Sequence, residues 1–246
     1  MNTAWFRFYE ELNDFLPSKW KKQEFPYSFT GNPSVKDTVE AIGIPHVEID
    51  LIVVNGVSVS FSHRVRNEDR ISVYPAFESI DISPVTRLRS RPLRESRFIA
   101  DVHLGKLTRY LRMCGFDTYY TPGISDNDII DISLSSRRII LTRDRGLLKN
   151  KRVTHGYWVR SQNPQEQLRE VILRLDLHGR IEPFTRCIEC NQILEDVKKE
   201  LVEDTLEMNT KKYYNEFRKC PGCGRIFWQG SHHENMGKLI DELRGP

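Results

Sequence analysis

Four cysteines constrain this chain more than any other feature. They stand as Cys187-Ile188-Glu189-Cys190 and Cys220-Pro221-Gly222-Cys223. Each C-x₂-C pair bends as a knuckle presenting two thiolates, and two pairs complete one tetrahedral zinc site. Residues 191–219 separate the pairs, a spacer suited to a β-hairpin insert. Gly222 and Gly224 supply the turn conformations that the second knuckle needs. With four thiolates in its shell, the zinc would fold the module and not catalyse. The segment from Phe184 to Pro246 has little apolar sequence of its own, and a module of that size needs such a staple. A redox role for one C-x-x-C is the rival reading, which two matched pairs disfavour. His232 and His233 close by are expected at the surface or against substrate. Cys114 falls on the apolar face of a helix and is expected as a buried small hydrophobe.

The N-terminus lacks the basic start and apolar core of a secretory signal, so the cysteines favour metal binding over a disulfide framework. A cytoplasmic protein is the expectation. No run of about 18 apolar residues occurs, so no membrane span is indicated. The 246 residues, 39% hydrophobic and 29% charged, suit one to three globular domains. The net charge of +3 is too small to establish a nucleic-acid partner. Its distribution says more: Arg87, Arg89, Arg91, Arg94 and Arg97 follow Ser83 with Glu95 the one acid among them. Such a run can neutralise phosphates; with Pro84 and Pro92 it also reads as a solvated linker, and the two readings are compatible.

Before this run, the pattern is ββαβββ. Trp5 to Tyr9 and Phe25 to Phe29 read as a strand and its hairpin partner. Ser34 caps a helix through Ile42 that Gly43 stops. Ile49 to Val54 and Val57 to Phe61 flank Asn55-Gly56, a primed hairpin turn. Arg70 to Pro75 is a last strand. This order, with Asp69-Arg70-Ile71-Ser72-Val73-Tyr74-Pro75, resembles the ubiquitin-like β-grasp domain of the thiamine and molybdopterin sulfur carriers. Those carriers act through a Gly-Gly tail. Here Ile82-Ser83-Pro84-Val85 follows instead, which disfavours sulfur transfer and favours a binding or scaffolding role, with a surface for a protein partner.

After the run, strands and helices alternate. Arg97 to Asp101 is a strand, and His103 to Cys114 a helix with Leu104, Leu107 and Leu111 on one face. Lys106, Arg109 and Arg112 follow at three-residue steps on another face. Asp117 to Tyr120 is a strand, and Ser125-Asp126-Asn127-Asp128 a capping box before a helix through Leu134. Ile139 to Leu141 is a strand ending near Asp144, with Tyr157 to Val159 a further one. Asn163-Pro164 opens a final helix to about Leu177. Such alternation implies an α/β layer structure with a largely parallel sheet.

In parallel sheets, functional groups collect at the carboxyl ends of strands. Asp101 and Asp144 take that place, and Asp126 and Asp128 begin a helix. Clustered carboxylates suit Mg²⁺ or Mn²⁺, hard ions that take oxygen ligands. Each acid also has a plain alternative. Asp101, Asp126 and Asp128 can serve as caps, and Asp144 can pair with Arg143 or Arg145, a surface contact worth about 0–1 kcal/mol. Spacing alone leaves these alternatives open.

The stretch Asp101-Val102-His103-Leu104-Gly105-Lys106-Leu107-Thr108-Arg109-Tyr110-Leu111-Arg112-Met113-Cys114-Gly115-Phe116-Asp117 is followed by Ser125-Asp126. Then come Ile140-Leu141-Thr142-Arg143-Asp144-Arg145-Gly146-Leu147-Leu148 and both cysteine knuckles, the second running on to His232. Together these resemble the PIN-like RNase domain named for the C-terminus of the Mut-seven exonuclease, from about Phe98 onward. The resemblance implies a metal-dependent ribonuclease in which Asp101, Asp126 and Asp144 hold Mg²⁺ or Mn²⁺, with Asp128 a secondary acid. Val102-His103 stands where the family often has a further acid, which implies weaker metal binding or one ion in place of two. Lys106, Arg109 and Arg112 fit this reading as residues that track a phosphate backbone, with Arg143 and Arg145 flanking the metal site, although each alone also reads as a solvated helix face.

The expected architecture is a ubiquitin-like β-grasp domain (1–83), an arginine-rich linker (84–96), a PIN-like three-layer α/β domain (97–180) and a zinc-ribbon module (181–246). The expected activity is hydrolysis of RNA. The alternative is a non-catalytic RNA-binding or adaptor protein that retains the fold.

Overall fold

The computed structural model describes residues 1–75, 86–88 and 96–244. Arg89, Arg91 and Arg94 of the basic run lie outside the described residues, as does the boundary read at Ser83. In chain order the N-terminal elements are β1 (Asn2–Phe8), β2 (Phe25–Phe29), α1 (Val35–Ile42), β3 (Ile49–Val54), β4 (Val57–Ser58) and β5 (Arg70–Pro75). The central ones are β6 (Arg97–Ala100), α2 (Gly105–Met113), β7 (Asp117–Tyr119), α3 (Asp126–Ser136), β8 (Ile139–Thr142), α4 (Arg145–Leu148), β9 (Gly156–Trp158) and α5 (Pro164–Arg174). The C-terminal ones are β10 (Glu195–Val197), α6 (Met208–Tyr213), β11 (Phe217–Lys219), β12 (Ile226–Trp228) and α7 (Ser231–Arg244). The chain divides into two compact units, Met1–Glu95 with Ser125–Trp158, and Ser96–Ile124 with Val159–Pro246.

In the first unit, β1 to β5 form a mixed sheet of order β2-β1-β5-β3-β4. The outermost strands in sequence meet at its centre, since β1 runs parallel to β5 with Phe6 beside Ile71. Local chemistry places its helix and hairpin. Ser34 Oγ accepts the Asp37 amide at 3.1 Å, and Gly43 ends α1 with φ of 125°. Asn55 and Gly56 both take positive φ, 49° and 83°, as the primed turn between β3 and β4 requires. Phe6, Phe8, Phe15, Val39, Ile52 and Val73 make one apolar core, and Trp158 packs against it.

Residues 125–158 belong to this unit rather than to the rest of the central segment. Buried polar side chains join them to the β-grasp sheet. His46 Nδ1 shares a proton with Glu40 Oε1 at 2.6 Å while Nε2 meets the Val153 carbonyl at 2.9 Å. Glu48 accepts the Trp158 amide at 2.6 Å, and Lys149 Nζ donates to the Glu40 carbonyl at 3.1 Å. Burial holds the His46 imidazole below its ordinary pKa.

Each unit holds one parallel pair of the central strands. In the first unit β8 runs beside β9, with Leu141 opposite Tyr157. In the second, β6 runs beside β7, with Phe98 opposite Thr118. The expected helix from His103 divides into a 3₁₀ turn over Val102–Leu104 and α2, with Leu104, Leu107 and Leu111 buried as expected. Gly115 ends α2 with φ of 94°, and a Cβ there would meet the Glu182 carbonyl oxygen at 2.3 Å. That close approach lets two backbone bonds form, from Glu182 N to Cys114 O at 3.0 Å and from Phe184 N to Met113 O at 2.8 Å. The C-terminal ribbon, an antiparallel β10-β11-β12 sheet, is thereby tied to the end of α2.

Candidate functional site

The two cysteine pairs come together. All four Sγ atoms lie within 4.8 Å of one another, with Cys187 and Cys223 at 3.6 Å and Cys190 and Cys220 at 3.2 Å. Zn–S bonds of about 2.3 Å put tetrahedral thiolates about 3.8 Å apart, so the donor set fits zinc.

The knuckles share one backbone design. Cys187 N donates to Gln192 O at 2.8 Å and Asn191 N to Cys187 O at 2.9 Å. In the second, Cys220 N donates to Arg225 O and Gly224 N to Cys220 O, both at 2.9 Å. The fifth residue of each is left-handed, Asn191 at φ of 71° and Gly224 at 73°. Gly222, expected to supply turn freedom, is not among the positive-φ residues. Its hydrogen instead makes room for Gln192, whose Cγ a Cβ would meet at 2.8 Å. Burial pushes the Cys187 thiol up to about 12, a cost that a bound divalent cation reverses by holding the thiolate. Cys114 is fully buried, and burial pushes its thiol up to about 12, so it is an inert apolar side chain as expected.

Arg112 is the main departure among the basic residues. It was expected to track phosphates, but it is 4% exposed and donates to three backbone carbonyls. These are Thr118 O at 2.9 Å, Ile188 O at 3.1 Å and Glu189 O at 2.6 Å, the last two inside the first knuckle. Residues at steps of three drift about 60° per step round a helix of 3.6 residues per turn, so the stripe from Lys106 turns into the core by Arg112. Burial lowers the Arg112 pKa, and the thiolates of Cys187 and Cys190 oppose that shift. The guanidinium is therefore placed to offset the negative charge that the four cysteines would carry with a metal bound.

Arg112→Lys is expected to lower the unfolding free energy by about 1–3 kcal/mol, because an ammonium cannot reach all three carbonyls. Denaturant titration reads it. An unchanged midpoint with weakened RNA binding would return Arg112 to the phosphate face.

Arg145 is the second departure. Its guanidinium carbon lies 3.9 Å from the centroid of Trp158 and 5.0 Å from that of Phe15, a cation–π contact with both. Lys106, Arg109 and Arg143 are exposed. Arg109 pairs with Glu189 at 3.0 Å, a surface contact that phosphate can replace.

The acids sit where the sequence pattern put them. Asp101 directly follows β6, is buried, and accepts the Val102 amide at Oδ1 at 2.6 Å. Asp126 opens α3 with an exposed carboxylate. Asp128 is the capping-box partner, bonded to Ser125 Oγ at 2.7 Å. Asp144 follows β8, is exposed, and accepts the Gly146 amide at Oδ1 at 2.7 Å. It makes no ion pair with Arg143 or Arg145 among the described residues. Among those residues the cysteine quartet is the one group of three or more His, Cys, Asp or Glu side chains close enough to share an ion.

Residues 96–240 match the Mut7-C RNAse domain, and residues 1–81 match the Mut7-C ubiquitin domain. The chain belongs to the Mut7-C RNase family. No curated protein and no solved structure matches it. The Mut7-C RNAse match takes in all four cysteines and Asp101, Asp126 and Asp144. The Mut7-C ubiquitin match takes in β1 to β5, in line with the ubiquitin-like resemblance of their order. No helix of the described residues is long and apolar enough to cross a membrane.

Sequence reading of this Mut7-C chain passed over Asn191. Its Oδ1 accepts the Thr118 amide at 3.0 Å and its Nδ2 donates to Asp117 at 2.7 Å, fastening the first knuckle to β7. Aligning the two C-x₂-C pairs would have flagged it, since it occupies the place of Gly224.

Proposed function

We propose that this protein is a divalent-metal-dependent ribonuclease that hydrolyses RNA phosphodiester bonds. The match of residues 96–240 to the Mut7-C RNAse domain carries the reading. Asp101, Asp126 and Asp144 are assigned as acidic ligands of Mg²⁺ or Mn²⁺. Their carboxylate oxygens are donors of the hard type these ions take, and Asp126 and Asp144 are open to solvent. The ion, when bound, would activate water and stabilise the leaving oxygen. Asp128 is a lesser candidate because Ser125 already engages it.

Lys106, Arg109 and Arg143 supply exposed positive charge for the RNA backbone. Arg112 and Arg145 are left out of this role because the first is buried and the second is stacked. The cysteine centre, with its shell closed by four sulfurs, serves structure.

The test is cleavage of an end-labelled single-stranded RNA with and without Mg²⁺ or Mn²⁺. The ion is withheld rather than chelated, so that the cysteine-bound metal stays. Metal-dependent fragments are expected. RNA retained intact under every metal would favour the alternative, an RNA-binding or adaptor protein.

A further inference from the structure

Asp144 lies between two residues held by a single ring. Arg143 lends its carbonyl to the Trp158 indole N–H at 3.2 Å. Arg145 spreads its guanidinium over the face of the same indole and over Phe15. The Phe15 and Trp158 rings are 4.8 Å apart and tilted by 42°. Phe15 is 6% exposed and belongs to the β-grasp core, so its ring is an anchored wall. Glu48, also of the β-grasp segment, holds the Trp158 backbone. Trp158 is therefore pinned at its main chain by one domain and grips the Asp144 turn with its side chain.

Within the turn, Thr142 Oγ1 accepts the Asp144 amide at 2.9 Å and Asp144 Oδ1 accepts the Gly146 amide at 2.7 Å, local bonds that shape it without anchoring it to the core. The helix that follows, α4, has four residues, and Arg143, Asp144 and Gly146 are all exposed. A metal-binding carboxylate must be held within about 0.5 Å of its working position.

We propose that the β-grasp domain is a positioning element for the Asp144 turn, with Phe15 and Trp158 as positioning residues acting through Arg143 and Arg145. The docking partner of that face is this chain's own segment 142–158. The proposal deepens the ribonuclease reading and rests on it for the role of Asp144.

The test is hydrogen exchange of the full-length protein together with cleavage kinetics. Phe15→Ala should speed exchange of the Gly146 and Lys149 amides about 5- to 30-fold, the fold-change of a lost cation–π contact. Exchange at Cys187 to Asn191 should stay at the wild-type rate. Phe15→Leu, which keeps apolar volume without a π face, should loosen the same amides and guards against misfolding of the alanine variant. Phe15→Tyr should restore the wild-type rate. In cleavage, Phe15→Leu should lower kcat with KM nearly unchanged. Wild-type exchange in Phe15→Leu, or loosening that spreads equally to the cysteine knuckle, would overturn the proposal. A wild-type protein that cuts no RNA would sink the ribonuclease reading, while exchange still decides the clamp.

Discussion

Asp144→Asn is expected to slow RNA cleavage at least about 100-fold, since a carboxylate-held metal supplies several kcal/mol of transition-state stabilisation. The substitution separates charge from structure. Asparagine caps helices as well as aspartate does, so its amide oxygen can still accept the Gly146 amide now bound by Oδ1 at 2.7 Å. The turn should persist and the melting temperature should stay within a few degrees of wild type. What is lost is one negative charge of the proposed set Asp101, Asp126 and Asp144. Full activity in Asp144→Asn would remove this residue from the metal site. Inactivity together with a large fall in melting temperature would point to the cap instead.

Loss of a single cysteine ligand should do more damage to the fold than loss of the proposed metal-binding acid. Zinc binding by a small Cys-rich module is worth on the order of 10–16 kcal/mol, comparable with the whole stability of a typical domain. Cys190→Ser should release the metal, measured by elemental analysis, and unfold the ribbon. The damage should also travel. Arg112 spends two hydrogen bonds on the first knuckle, Asn191 holds the edge of β7, and Arg186 donates to the Gly115 carbonyl at 3.0 Å. Amide protection should therefore fall across Met113 to Thr118 as well as across the ribbon. Protection lost in the ribbon alone would mean that these bonds bring no coupling.

The cysteine quartet was legible because its chemistry is written in short spacings. Two C-x₂-C pairs report four ligands whatever lies between them. Ser34, Gly43 and Asn55-Gly56 were legible for the same reason, each being a local backbone requirement with few residues able to meet it. Arg112 was misread because a three-residue step imitates an exposed stripe, and two of its three carbonyl partners lie more than seventy residues away. Arg145 was misread because the rings that hold it come from Phe15 and Trp158, which no local pattern links to it. The acids show the limit from the other side. Their places at strand and helix ends follow from hydrophobic runs and caps, yet a cap and a metal ligand present the same residue at the same place.

The family boundary near residue 96 is only one of the places where the physical units part, because residues 125–158 return to the first unit. A protein cut there would carry on its N-terminal piece a β-grasp core missing Trp158, and buried His46 and Glu48 without their partners. Its C-terminal piece would carry Asp144 on a turn with no wall behind it. On the ribosome the same connectivity sets an order of events. The first domain can close its strands early, but its last surface waits until residue 158 has emerged. In this chain the ubiquitin-like segment is less a passenger than a part delivered ahead of the site it completes.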